Sequence, residues 1–421
     1  MQVSKYISGI SPDFTLTRDG NEVMATFFYG LTGYYDEDLG YYLWDGELGA
    51  EIGAFANYLH QTADYPMDLE LAATLAPGVT AAGSYFVNDN IGGASFDQKF
   101  NVTLFDVAAN FTGTATVDLV FGSAAADTFR SVGSGDIFEG GTGNDLYRVY
   151  SADTQVVEIA GGGNDQIAAA VSYVLRAGVD VEQLTTTSST GSAAINLTGN
   201  TLAQTIIGNA GDNILHDGGK GAADILRGLA GNDTYRIFNS GDTIADGAGQ
   251  GADKVIAAVD YALGNGVEIE TMQTNGSTGT AGIDLTGNGF DQSITGNAGN
   301  NRLDGKGGTD VLRGLGGKDT FVFSSALGAG NVDTIVDFKA VDDTIELKNT
   351  VFAAVGTGSL AASAFNANSS GTALEADDRI IYETDTGKLF YDADGNGAGA
   401  AVQFAVLTGN PTITAADFVV V

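Results

Sequence analysis

Side chains with acidic or amide oxygens recur in this chain at intervals of nine residues. Residues 113–148 divide without gaps into GTATVDLVF, GSAAADTFR, SVGSGDIFE and GGTGNDLYR, and residues 287–322 into GNGFDQSIT, GNAGNNRLD, GKGGTDVLR and GLGGKDTFV. Residues 199–236 follow the same scheme around a two-residue insertion, Asp217-Gly218. Position six of most nines is Asp or Asn, and position eight is a large apolar residue. If two nines make one coil, equivalent turns lie 18 residues apart and stack. That brings together Asp118/Asp136, Asp127/Asp145 and Asn301/Asp319, and, allowing for the insertion, Asn213/Asp233 and Gln204/Asp224, with Gln292/Asp310 as a further pair. Stacked turns offering carboxylates, and carbonyls exposed by glycine, form a hard-oxygen environment. It suits Ca2+ better than Mg2+, which demands a stricter geometry. The candidate metal ligands are therefore Asp118, Asp127, Asp136, Asp145, Asn213, Asp224, Asp233, Asn301, Asp310 and Asp319. Asn removes one charge, so the Asn sites should bind less tightly.

The elements that position these turns follow from the same nine. Its early glycines permit the positive φ that a tight turn needs. Its last three residues read as a short strand, in which neighbouring side chains point to opposite faces, so a single apolar residue at position eight faces inward. Phe129, Phe138, Tyr147, Leu226, Tyr235, Leu303, Leu312 and Phe321 occupy that slot. The expected fold is mainly β: a right-handed parallel β-roll, a solenoid whose coils bury their apolar faces against their neighbours. A longer period encloses the nines. GGTGNDLYRV at Gly140, GLAGNDTYRI at Gly228 and GLGGKDTFVF at Gly314 begin 88 and 86 residues apart. The stretches between them also align, as in Ile195–Asn200 and Ile283–Asn288, and read as wider coils, with strands at Val181–Thr186 and Val267–Met272. The Ala content of Ile167–Leu175 allows a short helix there.

The nonapeptide GGTGNDLYR resembles the GGxGxDxUx repeat of the RTX proteins, the haemolysin-type calcium-binding repeat. The resemblance covers roughly residues 113–421 in three in-register clusters, of which the first lacks several turn glycines. It implies a Ca2+-binding β-roll and release by a type I exporter. Asp333–Phe338 and Asp343–Leu347 resemble the segment that caps such rolls, and the ending Ala416-Asp417-Phe418-Val419-Val420-Val421 is similar to their uncleaved C-terminal signals. Asp392/Asp394 in YDADGNG reads either as a further site or as a solvated Asx turn.

Composition narrows the function classes. Of 421 residues, 61 are Gly and 4 are Pro, and 53 acidic residues outnumber 18 basic ones for a net charge of −35. Such a surface repels phosphate backbones, which argues against nucleic-acid binding and against a polybasic membrane contact. The absence of Cys removes disulfides, thiolate nucleophiles and zinc–sulfur sites together. No basic start with an apolar run opens the chain, and no apolar stretch is long enough to span a bilayer. The reading is a secreted, extracellular or cell-surface protein of a Gram-negative bacterium, with the type I machinery as its export partner.

Three regions follow: an aromatic-rich segment 1–112, the roll 113–322, and a cap with secretion signal 323–421. The first holds nine of the 16 Tyr and the single Trp, Trp44. It reads as a small β or α+β domain with strands at Glu22–Tyr29 and Phe96–Phe105, a helix at Leu48–Leu59, and aromatic pairs around an acidic turn at Tyr34–Tyr42. Neither HExxH nor GxSxG occurs, and a carboxylate pair such as Asp36/Asp38 is expected by chance in so acidic a segment. The expectation is a non-enzymatic calcium-stiffened structural protein that assembles with copies of itself into a surface layer, filament or matrix. Two alternatives stay open: an adhesin or ligand binder for cell-surface polysaccharide or, through His60, haem; and a hydrolase on a short N-terminal catalytic domain.

Overall fold

The computed structural model describes residues 108–421 apart from position 159, and, before them, the backbone of a set of strands. Five of these, Gln2–Lys5, Phe14–Asp19, Glu22–Phe27, Leu31–Asp36 and Tyr41–Asp45, form an antiparallel sheet in chain order. The expected aromatic pairs sit on its last hairpin, where Tyr35 is in register with Tyr42 and Asp36 with Tyr41. The expected helix at Leu48–Leu59 and His60 lie outside the described residues. A long hairpin, Val79–Ile91 and Ala94–Phe105, leads into the repeats, its second strand pairing in parallel with Val117–Phe121.

From Asn110 onward the chain is a parallel β-solenoid. As far as Thr344–Leu347, successive short strands alternate between two faces and, save for one break on each face, pair in parallel with the next strand but one, whereas Ile380–Glu383, Lys388–Tyr391 and Val402–Leu407 pair antiparallel among themselves. The first face runs through Asn110–Thr112, Thr128–Arg130, Leu146–Val149, Gln166–Ala169 and on to Thr243–Ile244, and resumes at Tyr261–Ala262. The second runs through Val117–Phe121, Ile137–Glu139 and Gln155–Val157, and resumes at Tyr173–Val174. The parallel ladder continues beyond the nonapeptides: Thr320–Phe323 pairs with Thr344–Leu347, which pairs with Phe418–Val420, while Asp333–Ile335 pairs with Val402–Leu407.

Position eight explains the register. Phe111, Phe129, Tyr147, Ile167, Leu184, Ile206, Leu226 and Ile244 lie in line on the first face. Phe129, Tyr147, Ile167, Leu184, Ile206 and Leu226 are completely buried. The Phe129 and Tyr147 rings stack at 5.1 Å, which is possible because parallel in-register pairing puts identical slots above one another. Each such side chain contributes about 1.5–3 kcal/mol by burial, and a slip of one residue would turn the whole row outward.

The expected helix at Ile167–Leu175 is absent: Gln166–Ala169 and Tyr173–Val174 are strands on opposite faces. Pairing of Ile167 with Tyr147 and Leu184 outweighs the helical preference of the alanines. Strands expected at Val181–Thr186 and Val267–Met272 begin later, at Gln183 and Thr271.

Position two of the nine holds a finding of its own. Gly141 has φ 100°, but Leu229, Lys306 and Leu315 occupy the same slot at φ 82°, 72° and 72°. In these four turns the left-handed conformation is adopted whether or not the residue is glycine. At position four Gly231, Gly308 and Gly317 have φ between 107° and 112°, and a Cβ on Gly317 would collide with the carbonyl oxygen of Gly299 one coil below.

Candidate metal centre

The residue at position six precedes its strand and turns its side chain into the edge of the coil. The structure places all six expected pairs in adjacent coils, joined by one repeated contact. The backbone N–H of each position-six residue donates to the side-chain oxygen of its partner one coil on: Asp118 to Asp136 at 3.0 Å, Asp127 to Asp145 at 2.6 Å, Asn213 to Asp233 at 2.7 Å, and Asn301 to Asp319 at 2.9 Å. Gln204 and Gln292 donate likewise to Asp224 and Asp310.

These contacts extend into rows that the nonapeptide pattern alone does not reveal. Asp145 donates to Asp165, Asp165 to Glu182, and Asp224 to Asp242. On the other edge Asp233 donates to Asp253, Asp253 to Glu270 and, further on, Asp310 to Asp333, while Asp319 donates to Asp343 beside the first face. The spacing of these links varies between 17 and 24 residues. A search at a fixed interval of 18 therefore passes over most of them. The longer repeat carries the missing signal, since Asp165 and Glu182 recur as Asp253 and Glu270, 88 residues on.

Two kinds of rung occur in these rows. At the amide rungs every polar atom is used. The Asn213 Nδ2 group donates to the Ile195 carbonyl at 2.8 Å and Asn301 Nδ2 to the Ile283 carbonyl at 2.9 Å. Gln204 and Gln292 close onto the side chains of Asn200 and Asn288 in the same way. At the carboxylate rungs one oxygen accepts the backbone N–H, and at several the other has no hydrogen-bond donor: Asp145 Oδ2, Asp165 Oδ2, Asp233 Oδ2, Asp242 Oδ2 and Asp310 Oδ2. All five residues are buried. Burial raises the carboxyls of Asp136, Asp145, Asp233 and Asp319 to about 6, Asp224 and Asp242 to about 7, and Asp310 to about 8, with neighbouring carboxylates adding to the rise at each of these residues. A buried carboxylate oxygen without a donor is costly. Stacked oxygens of this kind fit a hard divalent cation, which would neutralise charge and supply the missing partner.

The family model of the RTX calcium-binding nonapeptide repeat, in four copies, matches residues 112–147, 198–235 and 286–321, the segments that carry the position-six rungs. These stretches are RTX calcium-binding nonapeptide repeats, and the parallel β-solenoid they build is consistent with an RTX protein. RTX nonapeptide repeats bind Ca2+, so the cofactor of these repeats is calcium. No curated protein matches the chain. Among the described residues no helix is long and apolar enough to cross a membrane. Asp392 and Asp394 stand apart from the rows and form a local turn, in which the Asp394 N–H donates to Asp392 Oδ1 at 3.2 Å and Gly399 N–H to Asp394 Oδ2 at 3.0 Å.

Proposed function

We infer that this RTX chain is a secreted, non-enzymatic structural protein whose solenoid folds on meeting Ca2+ and then assembles with copies of itself into a surface layer, filament or matrix. The observation that carries the reading is the set of buried carboxylate oxygens without donors at the edges of the coils. At low Ca2+ these groups repel one another and resist burial, which keeps the chain loose and suited to passage through a type I exporter. Where Ca2+ is abundant, its binding energy becomes folding energy. The ions belong at the Asp rungs, Asp118/Asp136 and Asp127/Asp145 in the first cluster and at Asp224, Asp233, Asp310 and Asp319 in the later ones. Asn213 and Asn301, whose amides already satisfy their surroundings, end the ion rows. Assembly is supported by the one-dimensional repeat itself, since head-to-tail contacts that do not close generate filaments.

Two measurements test the reading. Chelated protein titrated with millimolar Ca2+ should gain β circular dichroism cooperatively, and an unchanged spectrum would refute calcium-driven folding. Electron microscopy of the calcium-loaded protein should show sheets or fibres that chelator dissolves, and a strictly monomeric species at high concentration would refute assembly alone.

A further inference from the structure

Past the last nonapeptide of each cluster, the turn slot held by Gly140 and Gly228 is filled one coil on by an acid. The register Glu139 to Val157 sets Glu158 above Gly140, and Ile225 to Thr243 sets Asp246 above Gly228. Neither Glu158 nor Asp246 lies in the segments that the family model matches. Each is buried and converges with the two position-six carboxylates beside it. Ligand oxygens of Asp145, Glu158 and Asp165 lie within 4.8 Å of one another, as do those of Asp233, Asp246 and Asp253, and all six residues are buried.

The two corners are built alike, 88 residues apart. Tyr147 donates its hydroxyl to Glu158, and Tyr235 donates to Asp246 Oδ2 at 2.6 Å. A Cβ on Gly140 would strike the Tyr147 hydroxyl, Asp145 Oδ2 and Glu158 Oε1 together, so the glycine leaves the space into which these oxygens converge. Asp145 Oδ2, Asp165 Oδ2, Asp233 Oδ2 and Asp246 Oδ1 have no hydrogen-bond donor, although their residues are at most 5% exposed. Three carboxylates facing one another with one hydroxyl between them lack positive charge.

The third cluster supplies an internal contrast. Its corresponding carboxylates are Asp319, Asp337 and Asp343, and Phe321 stands where Tyr147 and Tyr235 stand. Here Asp337 accepts the N–H groups of Gly314 and Leu315 at 3.0 and 2.9 Å, and Asp343 accepts the N–H of Lys339 at 2.8 Å. The Lys339 ammonium bonds the Leu315 carbonyl at 2.9 Å and is a favourable charge for both Asp319 and Asp343. The protein provides its own donors and cation at this corner.

We propose that Asp145–Glu158–Asp165 and Asp233–Asp246–Asp253 are a second class of divalent-cation site, one at the end of each of the first two nonapeptide stacks, with Tyr147 and Tyr235 holding the non-motif acid in place, and that Lys339 takes the ion's role at the third. The proposal rests on the calcium-folding reading, but four of its six carboxylates, Glu158, Asp165, Asp246 and Asp253, lie outside the segments that the family model matches. The test uses the full chain. The double variant Glu158→Gln/Asp246→Asn should bind two fewer Ca2+ per chain than the parent by equilibrium dialysis, while the ions of the nonapeptide turns persist. Terbium provides a second readout, because a tyrosine hydroxyl adjoins these two sites and none adjoins the third. Tyr147→Phe/Tyr235→Phe copies the packing of Phe321, so it should fold and lose most of the tyrosine-excited terbium emission. An unchanged Ca2+ count in the first variant, or unchanged emission in the second, overturns the proposal and leaves calcium-driven folding standing. A parent chain that binds no Ca2+ overturns both.

Discussion

The carboxylate rungs around Asp145, Asp233 and Asp310 and the amide rungs at Asn213 and Asn301 occupy equivalent places in the coil but solve the same problem differently. The amides carry their own donors, and Asn213 and Asn301 use them on the carbonyls of Ile195 and Ile283. The carboxylates have only acceptors, and those of Asp145, Asp233 and Asp310 each leave one oxygen without a donor. One added proton donor per side chain separates a coil complete in itself from one that needs a cation. The solenoid is thus a mosaic of coils whose edge side chains are fully hydrogen-bonded and coils whose buried carboxylates keep an oxygen without a donor.

The largest expected effect comes from removing the ion altogether. Each site held at a hundred times its Kd adds about 2.7 kcal/mol to stability, so stripping several with chelator should abolish the folded roll. Hydrogen exchange should show protection lost first around Asp127–Glu182 and Asp224–Asp253 and last beside Asn213 and Asn301. Uniform loss along the chain would erase the distinction between the two kinds of rung. A purely steric change comes next. Gly317→Ala combines a φ of 107° with a collision against Gly299, and should cost at least ~2 kcal/mol with or without Ca2+.

Converting one rung into the other kind sharpens the contrast. Asp310→Asn should raise the stability of the calcium-free chain by about 1 kcal/mol, by supplying a donor to a buried site, and should lower the Ca2+ count. Differential scanning calorimetry in chelator and in Ca2+ should show opposite signs. Acidity probes the same rungs without mutation. Burial raises the folded-state carboxyls of Asp224, Asp233 and Asp310 above their unfolded value of 3.8, to about 7, 6 and 8. In the ion-free state that contribution is fully present below the unfolded value and is lost as pH climbs through about 6 to 8. Calcium-free protein should therefore be more ordered at pH 5 than at pH 8. Ca2+ affinity should move the other way, because the metal binds the deprotonated groups. Urea titrations at the two pH values check both signs. The smallest effect is local: Lys306→Gly relieves a left-handed lysine and should stabilise by no more than about 1 kcal/mol.

Much of this architecture was legible in the sequence because short parallel coils repeat their demands every nine residues. Phe129, Tyr147, Leu226 and Phe321 reveal the inward row, and the Asp at position six reveals the edge. Illegibility begins where the coil length changes. Asp165, Asp253 and Asp333 belong to the same rows as the motif acids, but links of 20, 20 and 23 residues bring them there. Glu158 and Asp246 were hidden for another reason: they occupy a slot where the motif has glycine, and only the register of Gln155–Val157 and Thr243–Ile244 against the strand one coil below discloses it. The misplaced helix at Ile167–Leu175 shows local propensity overridden by the ladder.

One repeat of the longer period contains nine strands, from Leu146–Val149 to the strand before Thr234–Ile237, and likewise from there to Thr320–Phe323. Nine is odd and the faces alternate, so each repeat is presented half a revolution away from its predecessor. Tyr147, Tyr235 and Phe321 accordingly sit on the first, second and first faces. A receptor that recognised the outer surface of one repeat would meet the same epitope next on the far side of the rod, so a single chain could tie together two receptors on opposing sides, as a rivet joins two plates.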